Sequence, residues 1–191
     1  LGSHGIDLNL GCPAKTVNKS KGGAALLKEP QLISTAVTEM RKAVPKDKTL
    51  SVKIRLGWDD PNCVHEIVDA IVLAGADELT IHARTKEDGY KAEAIKWHYI
   101  AKVKERLATE GKHFSIIANG EIWDKESAQL CIMASNSTNL MLGRGALALP
   151  NLANVIRFDE PAMPWSELCV VLREYSKLEL QGDKSYYFSS R

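Results

Sequence analysis

The 191-residue chain has neither a strong net charge nor a long apolar stretch. Lys and Arg number 25 and Asp and Glu number 24, so the formal net charge is +1. Any contact with nucleic acid must therefore be local, because no basic field surrounds the whole molecule. No apolar run approaches the roughly 20 residues of a membrane-spanning helix. The start LGSHGIDLNL also lacks the regions of a signal peptide, and we expect a cytoplasmic protein with no membrane contact.

The sequence also lacks paired cysteines. Cys12, Cys63, Cys131 and Cys169 are scattered, without a C-x-x-C pair. This spacing argues against a zinc knuckle, an iron–sulfur site and a disulfide framework. We expect no metal site, and we expect structural roles for the cysteines other than Cys12.

A repeated alternation of strands and helices is present instead. The stretches GIDLNL, SVKIRLG, ELTIHAR, FSIIANGE and NLMLGRG predict five strands. Apolar residues at helical spacing predict helices over residues 30–44, 64–72 and 97–107, and Asp124 is expected to cap a short helix. Strands that alternate with helices predict a parallel sheet.

Two α/β architectures fit this pattern, a doubly wound open sheet and a (β/α)₈ barrel. The first three strands place charged or amide groups on one face, and a barrel lumen accommodates such a face better than a sheet covered on both sides. We therefore expect a TIM barrel with about five βα units present. Residues 1–158 are expected to be the C-terminal portion of that barrel and residues 159–191 the start of a helical domain, with both ends of the sequence cut.

Polar residues recur where the predicted strands end. They are Asn9 with Cys12, Lys53 with Arg55, His82 with Arg84, Asn119 with Gly120, and Gly143, Arg144 and Gly145. In such barrels the loops after the last two strands commonly hold a phosphate. ANGE and GRGAL would supply backbone amides and a guanidinium there, although either stretch alone could be an ordinary glycine turn.

The individual residues carry signals of different strength. Lys53 and Arg55 share a face without an acidic neighbour on their strand, which favours a bound ligand or a distant carboxylate. A lone His82 is more often structural, but Arg84 beside it favours contact with an anion or a flavin. Cys12 lies between a glycine and a proline, and without a histidine in the motif it is more plausible as a proton donor than as a nucleophile.

Several stretches together resemble the tRNA-dihydrouridine synthases. They are DLNLGCPAKTVNKSKGGAALLKEP, SVKIRLGWDD, HARTKEDGYKAE, IANGEIWD and MLGRGAL. The text RTKEDGYKAEAIKW with ANGEIWD is similar to the bacterial C-type branch, which is associated with uridine 16 in the D-loop. The resemblance implies an FMN-binding TIM barrel followed by a helical RNA-binding domain.

The resemblance also implies roles for residues. Cys12 would donate a proton to C5 of uracil while reduced FMN delivers hydride to C6 and NADPH reduces the flavin. Lys53 and His82 correspond to flavin contacts. The FMN phosphate and ribityl region would be bound by Asn119, Gly120, Glu121, Gly143 and Arg144, and the tRNA substrate by Asn9, Arg55, Arg84 and Tyr90.

One departure from the family pattern and two alternatives accompany this interpretation. Where C-type relatives tend to be glycine-rich, this chain has Lys19, Ser20 and Lys21, which is more basic. The protein could instead be another FMN barrel acting on pyrimidines, such as a dihydroorotate or dihydropyrimidine dehydrogenase, or a non-catalytic tRNA-binding fragment. No obligate protein partner is evident.

Overall fold

A parallel sheet of five strands organises the described part of the chain. The computed structural model describes residues 2–180. The strands are β1 (Gly5–Asn9), β2 (Thr49–Arg55), β3 (Glu78–His82), β4 (Ser115–Asn119) and β5 (Leu140–Met141). They pair in chain order, each parallel to the next.

Helices connect these strands and follow the last one. They are α1 (Lys15–Lys19), α2 (Pro30–Ala43), α3 (Val64–Leu73), α4 (His98–Thr109), α5 (Lys125–Ser135), α6 (Arg144–Ala148), α7 (Leu152–Phe158) and α8 (Trp165–Leu180). Three 3₁₀ turns cover Gly23–Lys28, Pro61–Cys63 and Ala92–Ala94. The strand order never reverses, as it would at the switch point of a doubly wound sheet, so the described residues form an arc of a (β/α)₈ barrel.

The core lies between the outward face of the sheet and the helices. On β2 and β3 the alternate residues Val52, Ile54, Leu79 and Ile81 are all fully buried. The facing sides of α2, α3 and α4 contribute Ile33, Val37, Ile67, Ile71, Ile100 and Val103, which are buried as well. Burying one such side chain stabilises a fold by about 1.5–3 kcal/mol. The remaining residues of these strands face the other side of the sheet and are polar at the ends of the strands.

The first and fifth strands lie at the two edges of the described sheet. In the first strand, the apolar residue Ile6 is 49% exposed because β1 is an edge strand paired only with β2. The fifth strand is two residues long, and α6 begins at Arg144 within the stretch predicted as strand. Only residues 118 and 119 of β4 pair with β5, so little ladder supports a longer strand.

The helix predictions are confirmed, while the short helices α1, α6 and α7 were not predicted. Asp124 caps α5 through a capping box: Ser127 N donates to Asp124 Oδ1 at 2.7 Å, and Asp124 N donates to Ser127 Oγ at 3.1 Å. None of the described helices combines the length and apolar character needed to cross a bilayer. The division at residue 158 stays a prediction, and residues 181–191 of the predicted helical domain lie outside the described part.

Candidate active-site cleft

A polar cleft lies where β2 to β5 end. Its cavity has a volume of about 200 Å³. The lining residues are Lys53, His82, Tyr90, Asn119, Gly120, Glu121, Ile122, Trp123, Met141, Gly143, Arg144 and Gly145. The structure thus brings together all the residues predicted to bind the cofactor, plus Tyr90. Asn9, Cys12, Arg55 and Arg84 do not line this cavity.

Lys53 lies on β2 and lines the cleft, and the pKa of its ammonium is unusually low. Burial, then the charge of Arg55, lowers the pKa of Lys53 to about 8, although Asp7 opposes the shift. Among the residues that the structure describes, its ammonium has neither a hydrogen-bond nor an ion-pair partner. A half-desolvated cation without a partner is costly, so Lys53 is suited to a ligand that enters the cleft.

His82 lies at the end of β3 as a neutral imidazole. Burial and the charges of Arg55, Lys53, Arg84 and Arg144 lower the pKa of His82 to about 2. The Nη1 atom of Arg84 lies 3.3 Å from His82 Nε2. A guanidinium can only donate, so Nε2 accepts and Nδ1 carries the proton, which makes His82 a neutral donor on its other side.

Glu121 connects two arginines at the cleft. Its Oε1 lies 2.8 Å from Arg84 Nη2 and 2.6 Å from Arg144 Nη2. Burial alone would raise the pKa of Glu121, but a hydrogen bond from Trp123 and the charges of Arg84 and Arg144 lower it overall. The carboxylate is therefore ionised at neutral pH and offsets part of the positive charge in the cleft.

The turn that carries Glu121 has strained backbone. Gly120 has φ of 120° and Glu121 has φ of 53°, a left-handed conformation that is costly for a residue with a side chain. Two tryptophans hold it: Trp97 Nε1 donates to Gly120 O at 3.0 Å, and Trp123 Nε1 donates to Glu121 Oε2 at 2.9 Å. Sequence reasoning missed both tryptophans, although Trp123 stands two residues after Glu121.

The stretch from Gly143 to Gly145 forms the wall beside β5. A Cβ on Gly145 would lie 2.1 Å from Ile122 O, whereas a Cβ on Gly143 would have no atom within 4 Å. Gly145 is thus needed for close packing and Gly143 leaves open space. Arg144 between them is half-exposed and lies 5.3 Å from the Tyr90 ring centroid and 4.9 Å from that of Trp123. Asn119 Nδ2 donates to Met141 O at 2.8 Å and ties β4 to this wall.

Cys12 lies beyond β1 on a loop with a fixed backbone. Its carbonyl accepts from Asn18 Nδ2 at 3.0 Å and from Ala24 N at 3.0 Å. Asn9 Oδ1 accepts from Gly11 N at 3.0 Å and bends the chain directly before the cysteine. Asn9 pairs with Lys53 in the sheet register, so the loop that carries Cys12 and the cleft share one edge of the sheet. Asn18 was not predicted to support the site, although it lies within the stretch that carries the cysteine.

Arg55 and Arg84, which were predicted to contact the substrate, lie in the interior of the structure. Both side chains are fully buried. Arg55 donates from Nε to Gly11 O at 3.0 Å and from Nη1 to the carbonyls of Thr85 and Gly89, each at 2.9 Å. Arg84 donates from Nε to a backbone carbonyl at 2.7 Å and pairs with Glu121. Neither side chain is exposed in this conformation, and their role as tRNA contacts stays a prediction.

Comparison with known proteins decides the family. The family model described as dihydrouridine synthase matches residues 1–190. The chain belongs to the dihydrouridine synthase family. This assignment confirms the resemblance that the sequence motifs carried, and it confirms the TIM-barrel fold class.

Relatives within the family are similar along the whole chain. The chain is 53% identical over 191 residues to the tRNA-dihydrouridine(16) synthase of Vibrio parahaemolyticus serotype O3:K6 (strain RIMD 2210633) and 51% identical to that of Escherichia coli (strain K12). The match covers 100% of this chain but 58% and 59% of those proteins. The chain therefore spans less than two thirds of the length of these relatives.

A solved structure from outside these relatives shares the fold. It is a crystal structure from Burkholderia cenocepacia J2315 with the provisional name of phosphonomutase. It superposes with a TM-score of 0.55 at 13% identity, covering 73% of this chain and 59% of the other. At this identity the likeness supports the α/β barrel and carries no information on function.

The dihydrouridine synthase family is flavin-dependent, and the residues of the cleft fit a phosphorylated flavin. An unpartnered ammonium on Lys53 and a half-exposed guanidinium on Arg144 suit an anionic ligand. The open space at Gly143 gives that ligand access to the backbone. The cavity is smaller than the roughly 300–1,000 Å³ of common ligand pockets, so these residues enclose part of such a ligand.

Proposed function

We propose that the protein reduces uridine in the D-loop of tRNA, at position 16, to 5,6-dihydrouridine, with FMN in the cleft and NADPH as the reductant. One observation carries the proposal: the chain is 51–53% identical, over all 191 residues, to proteins named tRNA-dihydrouridine(16) synthase. Because the chain spans about 58–60% of their length, the activity is proposed for the whole protein. A cytoplasmic location is part of the proposal, since tRNA is the substrate.

Each residue of the site has a role that its surroundings support. When bound, reduced FMN supplies the hydride that C6 of uracil receives. Lys53, as a cation without a partner, would donate to the polar edge of the flavin, and neutral His82 would donate from Nδ1. Arg144, together with the backbone from Asn119 to Glu121 and at Gly143, would hold the phosphate and ribityl group.

Cys12 would supply the proton that completes the reduction. Its thiol gives H⁺ to C5 of uracil as the C5=C6 double bond is lost, and the thiolate that remains regains a proton from water. The two hydrogen bonds to its carbonyl fix the backbone of Cys12, which supports a role that requires a positioned proton donor. Asn9, which is exposed three residues earlier, would contact the base or ribose, and exposed Tyr90 would contact the tRNA.

Removal of the thiol tests the mechanism. In the full-length protein, Cys12→Ala is expected to keep FMN binding and to lower dihydrouridine formation on unmodified tRNA by about 10²–10⁴-fold under excess NADPH, because a general acid is lost. Cys63→Ala is the matched control, since that thiol is exposed in the turn before α3 and is not on the loop after β1. Turnover of Cys12→Ala near that of the control would remove Cys12 from the mechanism.

The same assay separates the two alternative functions. A wild-type protein that interconverts free pyrimidines and their 5,6-dihydro forms but does not act on tRNA would be a pyrimidine dehydrogenase. A wild-type protein that binds tRNA but shows no flavin absorbance and forms no dihydrouridine would be a non-catalytic binding protein. Either result would contradict the proposed function.

A further inference from the structure

One segment of the chain concentrates positive charge beside Cys12. Residues 8–28 contain four lysines and no Asp or Glu, although the whole chain carries a formal net charge of only +1. Lys28 lies 3.7 Å above the ring centroid of Trp58 and so has a partner. Lys15, Lys19 and Lys21 are exposed, and within residues 2–180 none of the three forms an ion pair or hydrogen bond through its ammonium. We call residues 15–21 the lysine loop.

The lysine loop and the backbone of Cys12 form one rigid unit. Asn18, on α1, donates from Nδ2 both to Cys12 O at 3.0 Å and to Gly22 O at 2.9 Å. Gly23 packs against the same carbonyl so tightly that a Cβ there would lie 2.8 Å from Cys12 O. The backbone that carries the three lysines is therefore tied to the backbone that carries the thiol.

Lys21 has a backbone conformation that lysine does not favour. Its φ is 57°, in the left-handed region where glycine is the residue without a steric cost. Strained residues of this kind are frequent at ligand-binding sites. The side chain of Lys21 is exposed and follows the lysines of α1 in the chain.

We propose that the lysine loop binds phosphates of the tRNA strand that enters the cleft. The inference rests on the proposed function, since it names the surface by which that site holds its substrate. Lysine ammonium groups contact phosphates as point charges and carry no base specificity. The loop thus supplies affinity for the RNA backbone next to the target uridine, whereas the choice of uridine is made elsewhere.

The test measures how tRNA binding depends on salt in the full-length protein. The variant is Lys19→Ala with Lys21→Gly. The matched control is Lys46→Ala with Lys48→Ala, two lysines before β2, at the opposite edge of the sheet from the cleft. Removing one lysine–phosphate interaction lowers the slope of log K against log salt by about 0.7–0.9. The variant is expected to lose about 1.4–1.8 in slope and to bind about 15–30-fold more weakly at roughly 0.15 M salt, while the control is expected to match the wild type.

Further measurements separate charge from folding. Lys21→Gly alone relieves the left-handed strain, so this variant is expected to keep the wild-type melting temperature. Its slope of log K against log salt is expected to fall by about 0.7–0.9, the contribution of one lysine. Lys21→Arg keeps the charge and is expected to retain the wild-type slope. A variant with an unchanged slope would overturn the inference. A fall in FMN affinity in place of tRNA affinity would also overturn it, because the loop would then serve the cofactor phosphate.

Dihydrouridine formation by the wild type is measured in parallel. If the wild type forms dihydrouridine and the variant has an unchanged salt slope, the phosphate-binding role of the lysine loop is refuted and the proposed function stands. A wild type that binds tRNA with the predicted lysine dependence but forms no dihydrouridine would support the loop and refute the function.

Discussion

Replacing Lys53 with methionine tests two effects of this lysine separately. One is the loss of stability caused by its burial, and the other is its contribution to cofactor binding. The pKa of Lys53 is lowered from 10.5 to about 8 by burial and by the charge of Arg55. At 1.36 kcal/mol per pH unit, keeping the ammonium charged at pH 7 costs the folded protein about 3 kcal/mol relative to the unfolded chain. Methionine has a similar length and no charge, so Lys53→Met is expected to raise the free energy of unfolding by up to about 3 kcal/mol.

This gain should depend on pH in a defined direction. Because the folded-state pKa of Lys53 lies below the unfolded value, the unfolded chain binds more protons between about pH 8 and pH 10.5, and the wild type gains stability as the pH rises through that range. The advantage of Lys53→Met is therefore largest below about pH 8 and disappears above about pH 10.5. Urea unfolding of the apo-protein at a series of pH values measures it, with Lys46→Met as the exposed control.

The same substitution is expected to weaken FMN binding. Lys53→Met removes the unpartnered cation of the cleft, and loss of a charged hydrogen bond of about 1.5–3 kcal/mol corresponds to about 10–150-fold weaker FMN binding. Titration of apo-protein followed by flavin fluorescence gives that affinity. A variant no more stable than the wild type at pH 7, or one that binds FMN equally well, would refute the assignment of Lys53 as a strained ligand-binding residue.

Three further substitutions test other parts of the cleft and the fold. Arg144→Ala is expected to weaken FMN binding more than tRNA binding in separate titrations; the opposite order would show that this guanidinium serves the substrate. Gly145→Ala is expected to lower the free energy of unfolding by about 3 kcal/mol, because its Cβ would lie 2.1 Å from Ile122 O; an unchanged free energy of unfolding would show that α6 shifts to accommodate the methyl group. Asp124→Ala should cost about 1 kcal/mol in thermal or urea unfolding through loss of the α5 cap, and no change would mean that the capping box contributes little.

The sequence predicted which residues share the cleft better than it predicted what they contact. Lys53, His82 and Asn119 could be placed together because parallel strands end at one edge and alternate side chains point to one face. The position of Arg55 on the inner face followed from the same rule. Its partners did not, because the carbonyl at residue 11 and those at residues 85 and 89 meet only when the loop after β1 folds against the loop after β3.

The sequence also did not predict residues whose backbone conformation is unusual for their amino-acid type. The left-handed conformation of Glu121 and Lys21 could not be predicted from the sequence, since neither residue is a glycine or an asparagine. The fifth strand was predicted too long because hydrophobicity reports burial, whereas strand length depends on a neighbour to pair with. Asp124 was predicted correctly as a cap because capping is a local interaction between residues three apart.

The buried guanidinium of Arg55 has a consequence for engineering this enzyme family. It joins the loop that carries Cys12 to the loop that carries Tyr90 through three hydrogen bonds that end on main-chain carbonyls. Any amino acid at positions 11, 85 or 89 provides such a carbonyl, so the anchor does not depend on the loop side chains. Loops grafted from other barrels could therefore be exchanged at this edge without redesigning their attachment, provided that their length brings a carbonyl to the same place and that position 55 remains arginine.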